Sequence, residues 1–466
     1  MFKAEQYLRM IAGADPIRTE GRVVQVIGTV IEGTLPDCAV GQLCEILPGG
    51  NEAPLRAEVV GFRRDHVLIM PLGEMRGLKP GSRILSLRHA PTVGVGPDLL
   101  GRVIDGLGRP MDGLPPVVPE THYPIYNDPP NAFQRERISE PLDLGVRAIN
   151  GFLTCGVGQR VGIMAGSGVG KSTLLGMIAR QTRADINVIA LTGERGRELR
   201  DFIERDLGEA GLARSVVVTA TSDRSPLERV RAAFVATAIA EFFRDRGQSV
   251  LLMMDSVTRF AMAQREIGLS IGEPPTTKGY TPSVFALLPK LLERAGMGAN
   301  GHGSITGLYT VLVDGDDLTE PIADATRAIL DGHIVLSRQL ADQGHFPAID
   351  ILASKSRLMT EIVTPDHLQS AQQMLGLLAA YQRAETLINI GAYVAGSNPT
   401  IDRAIRMHEP LERFLRQGIF EAAAMEQCIH GLHQLVREAS APAPGRDNGR
   451  PGGQRVAEFT PGGIGR

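Results

Sequence analysis

Residues 160–180 read RVGIMAGSGVGKSTLLGMIAR. RVGIMA (160–165) is an apolar strand candidate, GSGVG (166–170) a glycine-rich turn, and KSTLLGMIAR (171–180) has the spacing of a helix. A phosphate chain needs several backbone N–H groups close together, which a glycine-rich turn feeding a helix N-terminus supplies. Gly166, Ser167, Gly168, Val169, Gly170, Lys171, Ser172 and Thr173 are therefore the candidate cradle. In it, the Lys171 amine reaches the β- and γ-phosphates and the Ser172 hydroxyl ligates Mg²⁺. Ala165 stands where the strict pattern has glycine, a small departure because it closes the strand.

Outward from this stretch, INVIAL (186–191), SVVVTA (215–220), SVLLMMD (249–255) and SITGLYTVLV (304–313) are apolar nearly throughout. Strands buried on both faces of a parallel sheet need that composition. Helical patterns such as SPLERVRAAFVATAIAEFFRDRG (225–247) separate them. The fold class predicted is α/β, with a parallel-sheet core over residues 93–362. Asp255 ends its strand on the sheet edge where nucleotides bind, placed to hold Mg²⁺ through water. Capping the following helix is the plainer use of the same carboxylate. Glu194, in LTGERGRE (191–198), follows INVIAL and is placed to polarise an attacking water, with Arg195 beside it to contact phosphates. A solvated surface glutamate is the alternative, and Arg197 and Glu198 read as solvated helix residues.

Upstream, GRVVQVIGTVIEG, GQLCEILPG, LRAEVVGF, DHVLIMPL and GSRILSL are short β-like runs between Gly, Pro and Asp turns, the signature of a small barrel or sandwich over 21–92. Residues 1–20 pattern as an amphipathic helix, and the proline-rich 110–141 as an extended connector. Residues 363–440 show helical periodicity and no strand signal. The Pro/Gly-rich 441–466 reads as a flexible tail.

The 466 residues are 43% hydrophobic and 22% charged, with mean hydropathy −0.01, values of a globular chain. With 49 basic and 52 acidic residues the net charge is −3, so no bulk field gathers nucleic acid. The absence of tryptophan and of a basic aromatic platform points the same way. Cys38, Cys44, Cys155 and Cys428 are too scattered for a disulfide framework or a zinc site and read as free thiols. The charged start lacks a signal peptide's apolar core, and no run spans a membrane, so a cytoplasmic location is expected. The acidic VDGDDLTE (313–320) lacks the spacing of a calcium loop.

Four longer stretches carry a resemblance: 145–180 around the glycine turn, GERGRELRDFIE (193–204), LLMMDSVTRFAMAQREIGLSIGEPPTTKGYTPSVFALLPKLLERAG (251–296) and DGHIVLSRQLADQGHFPAIDILASKSR (331–357). Over about 20–435 the chain resembles the flagellar and type III protein-export ATPases, homologues of the catalytic subunit of rotary ATP synthase. PPTTKGYTPSVF and LINIGAYVAGSNPTIDRAI look more flagellar than injectisome-like. The resemblance implies a P-loop, RecA-like core between an N-terminal β-barrel and a C-terminal helical domain. It implies Mg²⁺-dependent ATP hydrolysis coupled to protein export, releasing chaperones from cargo or unfolding cargo at the export gate. It assigns Lys171 and Ser172 to phosphate and metal, Glu194 to catalysis, Asp255 to the metal and Arg195 to phosphate. Phe346 becomes the adenine-stacking aromatic and Arg357 an arginine finger reaching the neighbouring subunit's nucleotide. It further implies a homohexamer at the inner-membrane export apparatus. A regulator would bind the N-terminal segment, and a stalk-like protein or cargo would meet 272–283 and 314–320 in the pore. An injectisome ATPase, a rotary synthase subunit and a ring-shaped RNA translocase are the alternatives.

Overall fold

The computed structural model describes residues 19–49, 52–87, 90–299 and 301–441. The expected N-terminal helix and tail fall, save for their inner ends, outside the described residues. The first strands, β1 (Glu20–Ile27), β2 (Val30–Thr34), β3 (Leu43–Leu47), β4 (Leu55–Arg63), β5 (His66–Pro71) and β6 (Arg83–Ser86), close a barrel in the order β1-β2-β5-β4-β3-β6. Alternating side chains fill it: Val23, Ile31, Cys44, Ile46, Val59, Ile69 and Ile84 are all buried.

The proline-rich segment departs from the expected extended connector. β7 (Thr92–Val95) pairs antiparallel with β9 (Thr121–Pro124), and β8 (Val103–Asp105) joins the central sheet beyond them. Tyr123 and Tyr126 make edge-to-face contacts with Phe242 and Phe234 of the helix Pro226–Asp245, at 5.6 and 5.0 Å between centroids. Proline removes N–H donors but leaves these aromatics free to pack, so the segment is held by side chains more than by ladders.

Where the barrel meets that helix, buried Glu58 lies 3.5 Å from buried Arg231 and accepts a hydrogen bond from the Tyr126 hydroxyl at 3.3 Å. Burial pushes the Glu58 carboxyl up to about 7, with Arg231 and Tyr126 pulling the other way. Its folded value thus exceeds the 4.5 of an unperturbed glutamate. The proton it keeps favours the folded state most below 4.5, and that contribution is lost as pH rises to about 7. Glu58→Gln is expected to flatten the fall of Tm across that window and to raise Tm at pH 8 by roughly a few degrees. Thermal melts of both proteins against pH check it, and parallel curves would contradict it.

A two-stranded pairing of β10 (Pro141–Leu142) with β11 (Cys155–Gly156) leads into the main sheet. Among the described residues that sheet has nine strands: β8, β12 (Arg160–Ala165), β13 (Ile186–Thr192), β14 (Ser215–Ala220), β15 (Ser249–Asp255), β16 (Gly296–Met297), β17 (Ser304–Leu312), β18 (Gly332–Leu336) and β19 (Ile349–Ser356). The order is β19-β18-β12-β17-β15-β13-β14-β8, with β16 antiparallel on β17. All the other pairings are parallel except β18 with β19. Short β8 and the two half-exposed strands β18 and β19 lack the unbroken apolar run that marks the central strands, so the sequence pattern passed over them.

Three helices among the described residues after 363, Pro365–Asn389, Pro399–Leu415 and Met425–Ser440, pack against the short helix Arg147–Phe152. Phe152 meets Phe414 at 6.0 Å, and the Arg147 N–H donates to Gln417 Oε1 at 2.8 Å. No helix among the described residues is long and apolar enough to cross a membrane.

Candidate active site

β12 lies between β17 and β18, and Ala165 pairs with Leu312 on one side and Leu336 on the other. The turn that follows therefore emerges in the crevice at the carboxyl ends of the parallel strands. Gly168 and Gly170 have φ of +80° and +89°, a left-handed conformation that a side chain strains. Val169, buried between them, pins the turn into the core. Gly170 is the N-cap of the helix Lys171–Gln181 and no side chain caps that end, so the helix start points its N–H groups and dipole at whatever anion enters. The cleft over this turn measures about 480 Å³ and is lined by Ser167, Lys171, Ser172, Thr173, Glu194 and Arg195 among others.

Two neighbouring strands bring carboxylates to the Lys171 amine. It bonds the Asp255 carboxylate at the end of β15 and lies 3.6 Å from Glu194, just past β13. The Thr310 hydroxyl donates to Asp255 Oδ1 at 2.7 Å, which fixes that carboxylate. Burial pushes Glu194 up to about 7 against the pull of Lys171, and the Asp255 charge adds to the rise. Glu194 Oε1 is buried without a hydrogen bond, as is Nε of Arg259 in the first turn of the helix Val257–Ile271. Buried polar atoms of opposite charge that lack hydrogen bonds at one cleft mark a place that a ligand can complete. Gly193, at φ +73°, brings the chain so close to Arg259 that a methyl there would lie 2.9 Å from the arginine Cβ.

The sequence reading passed over Arg259 and Thr310. Arg259 lies in the first turn of the helix after Asp255, where an arginine has commoner uses than a site residue. Thr310 was hidden in an apolar run and becomes visible only when β17 pairs with β15. The hard oxygen donors of Ser172 and Asp255, with two buried polar atoms beside them that lack hydrogen bonds, suit Mg²⁺ with a triphosphate.

The other expected residues lie farther out. A methyl on Gly170 would stand 3.6 Å from the half-exposed Phe346 ring, so this aromatic flanks the turn. The exposed Arg195 side chain sits at the cleft edge, 3.8 Å from Glu198. Arg357 does not join them. Antiparallel β19 pairs Ile349 with Leu336 at the cleft end and Ser356 with Gly332 at the other. Gly332 is four strand steps from Leu336, so Arg357, which follows Ser356, lies roughly 15 Å along the sheet from its own chain's cleft. It is exposed, and its Nη2 donates to the Arg327 carbonyl at 3.0 Å.

Three family models match this chain: the ATP synthase alpha/beta family β-barrel domain over 23–88, its nucleotide-binding domain over 145–356, and the T3SS EscN ATPase C-terminal domain over 363–434. The flagellum-specific ATP synthase of Bacillus subtilis is 54% identical over 93% of this chain and 99% of its own length. The protein of that name from Salmonella typhimurium is 54% identical over 89% and 93%. The type 3 secretion system ATPase of Xanthomonas euvesicatoria is 52% identical over 91% and 95%. Among solved structures, the assembled ATPase EscN of the enteropathogenic E. coli type III secretion system has a TM-score of 0.85 at 46% identity, covering 89% of this chain and all of that one. The same ATPase in complex with its central stalk EscO has a TM-score of 0.82 at 47% identity, over the same share. The barrel, the nucleotide-binding core, the EscN-type helical domain and relatives matched nearly end to end place this chain in the ATP synthase alpha/beta family, among the flagellum-specific and type III secretion ATPases, as an ATPase.

Proposed function

We propose that this chain hydrolyses ATP to drive type III protein export in flagellar assembly, freeing or unfolding cargo at the export gate. The observation that carries it is the Lys171 amine held between Asp255 and Glu194 at the mouth of the glycine turn. Phosphate oxygens would draw that amine away from Asp255. Gly166, Ser167, Gly168, Val169 and Gly170 would cradle the chain of phosphates by their backbone, with Thr173 behind them and Phe346 against the base. Ser172 would ligate Mg²⁺ and Asp255 would hold its water shell, and the bound ion would neutralise charge on the β- and γ-oxygens. Glu194 orients a water whose oxygen attacks the γ-phosphorus as the bond to the bridging oxygen breaks, leaving ADP and phosphate. Arg195 contacts the phosphates from the rim.

Arg357, remote from its own cleft, serves the cleft of the next copy, so a site is complete only in a ring, six-fold by family likeness. In such a ring 272–283 and 314–320 face the pore, where a stalk-like protein or cargo meets them. Lys278 and Glu320, 3.0 Å apart, already tie those two segments together. The N-terminal segment meets a regulator that holds the ring beside the inner membrane. The EscN-type helical domain favours export over a rotary synthase, and a net charge of −3 weighs against RNA.

Specific ATPase activity is expected to climb with protein concentration as rings form. A constant value down to nanomolar protein would contradict the shared site. Loss of swimming on deletion of the gene, with other secretion intact, would assign the flagellar system, and the reverse would assign the injectisome.

Glu194 must be ionised to polarise water, and burial holds it near 7. The kcat/KM of the free enzyme is expected to rise with pH through about 7 and then level. Glu194→Asp should move this limb while ATP binding stays flat across it. A flat wild-type profile would remove Glu194 from the role.

A further inference from the structure

Phe346 is the exposed residue in a buried run: His345 before it and Pro347, Ala348 and Ile349 after it are all buried. His345 is 1% exposed, and its Nδ1 lies 3.0 Å from Oε2 of Glu412, on the helix Pro399–Leu415 of the C-terminal domain. The His345 bond holds the Glu412 carboxyl below the usual glutamate range, so Glu412 is an acceptor and Nδ1 carries the proton. The other ring nitrogen, Nε2, is buried with no hydrogen-bond partner, and His345 lines a cavity of about 170 Å³ with Tyr381 and His408. Glu412 is thus the polar group that fixes the imidazole. One residue on, the Gln417 N–H donates to the Phe346 carbonyl at 3.0 Å. The helical domain grips the chain on both sides of the exposed ring.

A buried imidazole is a costly way to fill space that an apolar side chain would fill, and here it makes a single hydrogen bond, to another domain. We propose that His345 is a positioning residue for nucleotide-base recognition: its bond to Glu412, with the Gln417 N–H on the Phe346 carbonyl, lets the helical domain set the Phe346 ring beside the glycine turn. The inference rests on the reading that Phe346 contacts the base. An exposed ring that is already held in place loses less freedom when a base stacks on it, so the grip acts on affinity and not on the chemical step.

The test is steady-state ATP hydrolysis by the full chain, with inorganic tripolyphosphate as a competitive inhibitor that has no base. His345→Ala is expected to raise KM for ATP about ten-fold, with kcat changed less than about two-fold and the tripolyphosphate Ki unmoved. His345→Asn, whose amide can reach the place of Nδ1, should recover most of the loss. Glu412→Gln, which keeps a neutral acceptor, should raise KM about three-fold and serves if the alanine variant does not fold. The double variant with Phe346→Ala should match Phe346→Ala alone. An unchanged KM in His345→Ala and Glu412→Gln beside a raised KM in Phe346→Ala would overturn the positioning role alone. An unchanged KM in Phe346→Ala would overturn the base-contact reading and the inference with it. Equal shifts in KM and in the tripolyphosphate Ki would also overturn it, because the effect would then lie at the phosphates.

Discussion

Glu194→Gln is expected to lower kcat by about a thousand-fold while ATP binding stays within about three-fold of wild type. The reason is local. Glu194 is largely buried, its Oε1 lacks a hydrogen bond, and burial has raised it to about 7, so its ionised form is held at a cost. Glutamine has the same shape and removes that cost, so the cleft keeps its form and loses only the charge proposed to polarise water. Single-turnover hydrolysis beside equilibrium binding of a fluorescent ATP analogue separates the two quantities. Turnover above about a tenth of wild type would take Glu194 out of catalysis. Lys171→Ala should behave differently. It strips the cation from two neighbouring carboxylates, so nucleotide binding and turnover fall together.

Arg357→Ala is expected to lower kcat by about a thousand-fold as well, for a reason that lies outside its own chain. The register of β19 on β18 carries the chain away from the cleft, from Ile349 beside Leu336 to Ser356 beside Gly332. A guanidinium at the end of that strand cannot reach the phosphates bound by the same copy. It stands exposed, and in the proposed ring it would serve the glycine turn of a second copy. Each cleft should therefore still bind ATP in Arg357→Ala, and assembly judged by sedimentation should be intact. A kcat within about three-fold of wild type would contradict a role at the reacting phosphate.

The sheet core was legible because strands buried on both faces leave unbroken apolar runs, and RVGIMA, INVIAL, SVVVTA and SVLLMMD each became a strand of the parallel sheet. β8, β18 and β19 were not legible, since three residues or half-exposed alternation give a weak local signal. Their order, which isolates Arg357 from Lys171, is a tertiary fact. Lys171, Glu194 and Asp255 announced themselves by their places at strand ends and at the helix start, and the fold brings these three together. Thr310 and Arg259 did not, since an isolated threonine in an apolar run and an arginine on a helix have commoner uses. His345 looked like a neighbour of Phe346 in the chain. Its link to Glu412 crosses 67 residues and exists only once the helical domain packs.

Mixing two inactive variants tests the shared site most directly. Lys171→Ala keeps a working Arg357, and Arg357→Ala keeps a working glycine turn, so neither alone has a complete cleft. In mixed rings an Arg357→Ala copy whose cleft faces a Lys171→Ala neighbour has both halves. At equal amounts about a quarter of the interfaces are of this kind. The account predicts that ATP hydrolysis reappears on mixing and peaks near equal amounts. Hydrolysis that stays at the level of the separate variants at every ratio, with mixed rings verified, would contradict it.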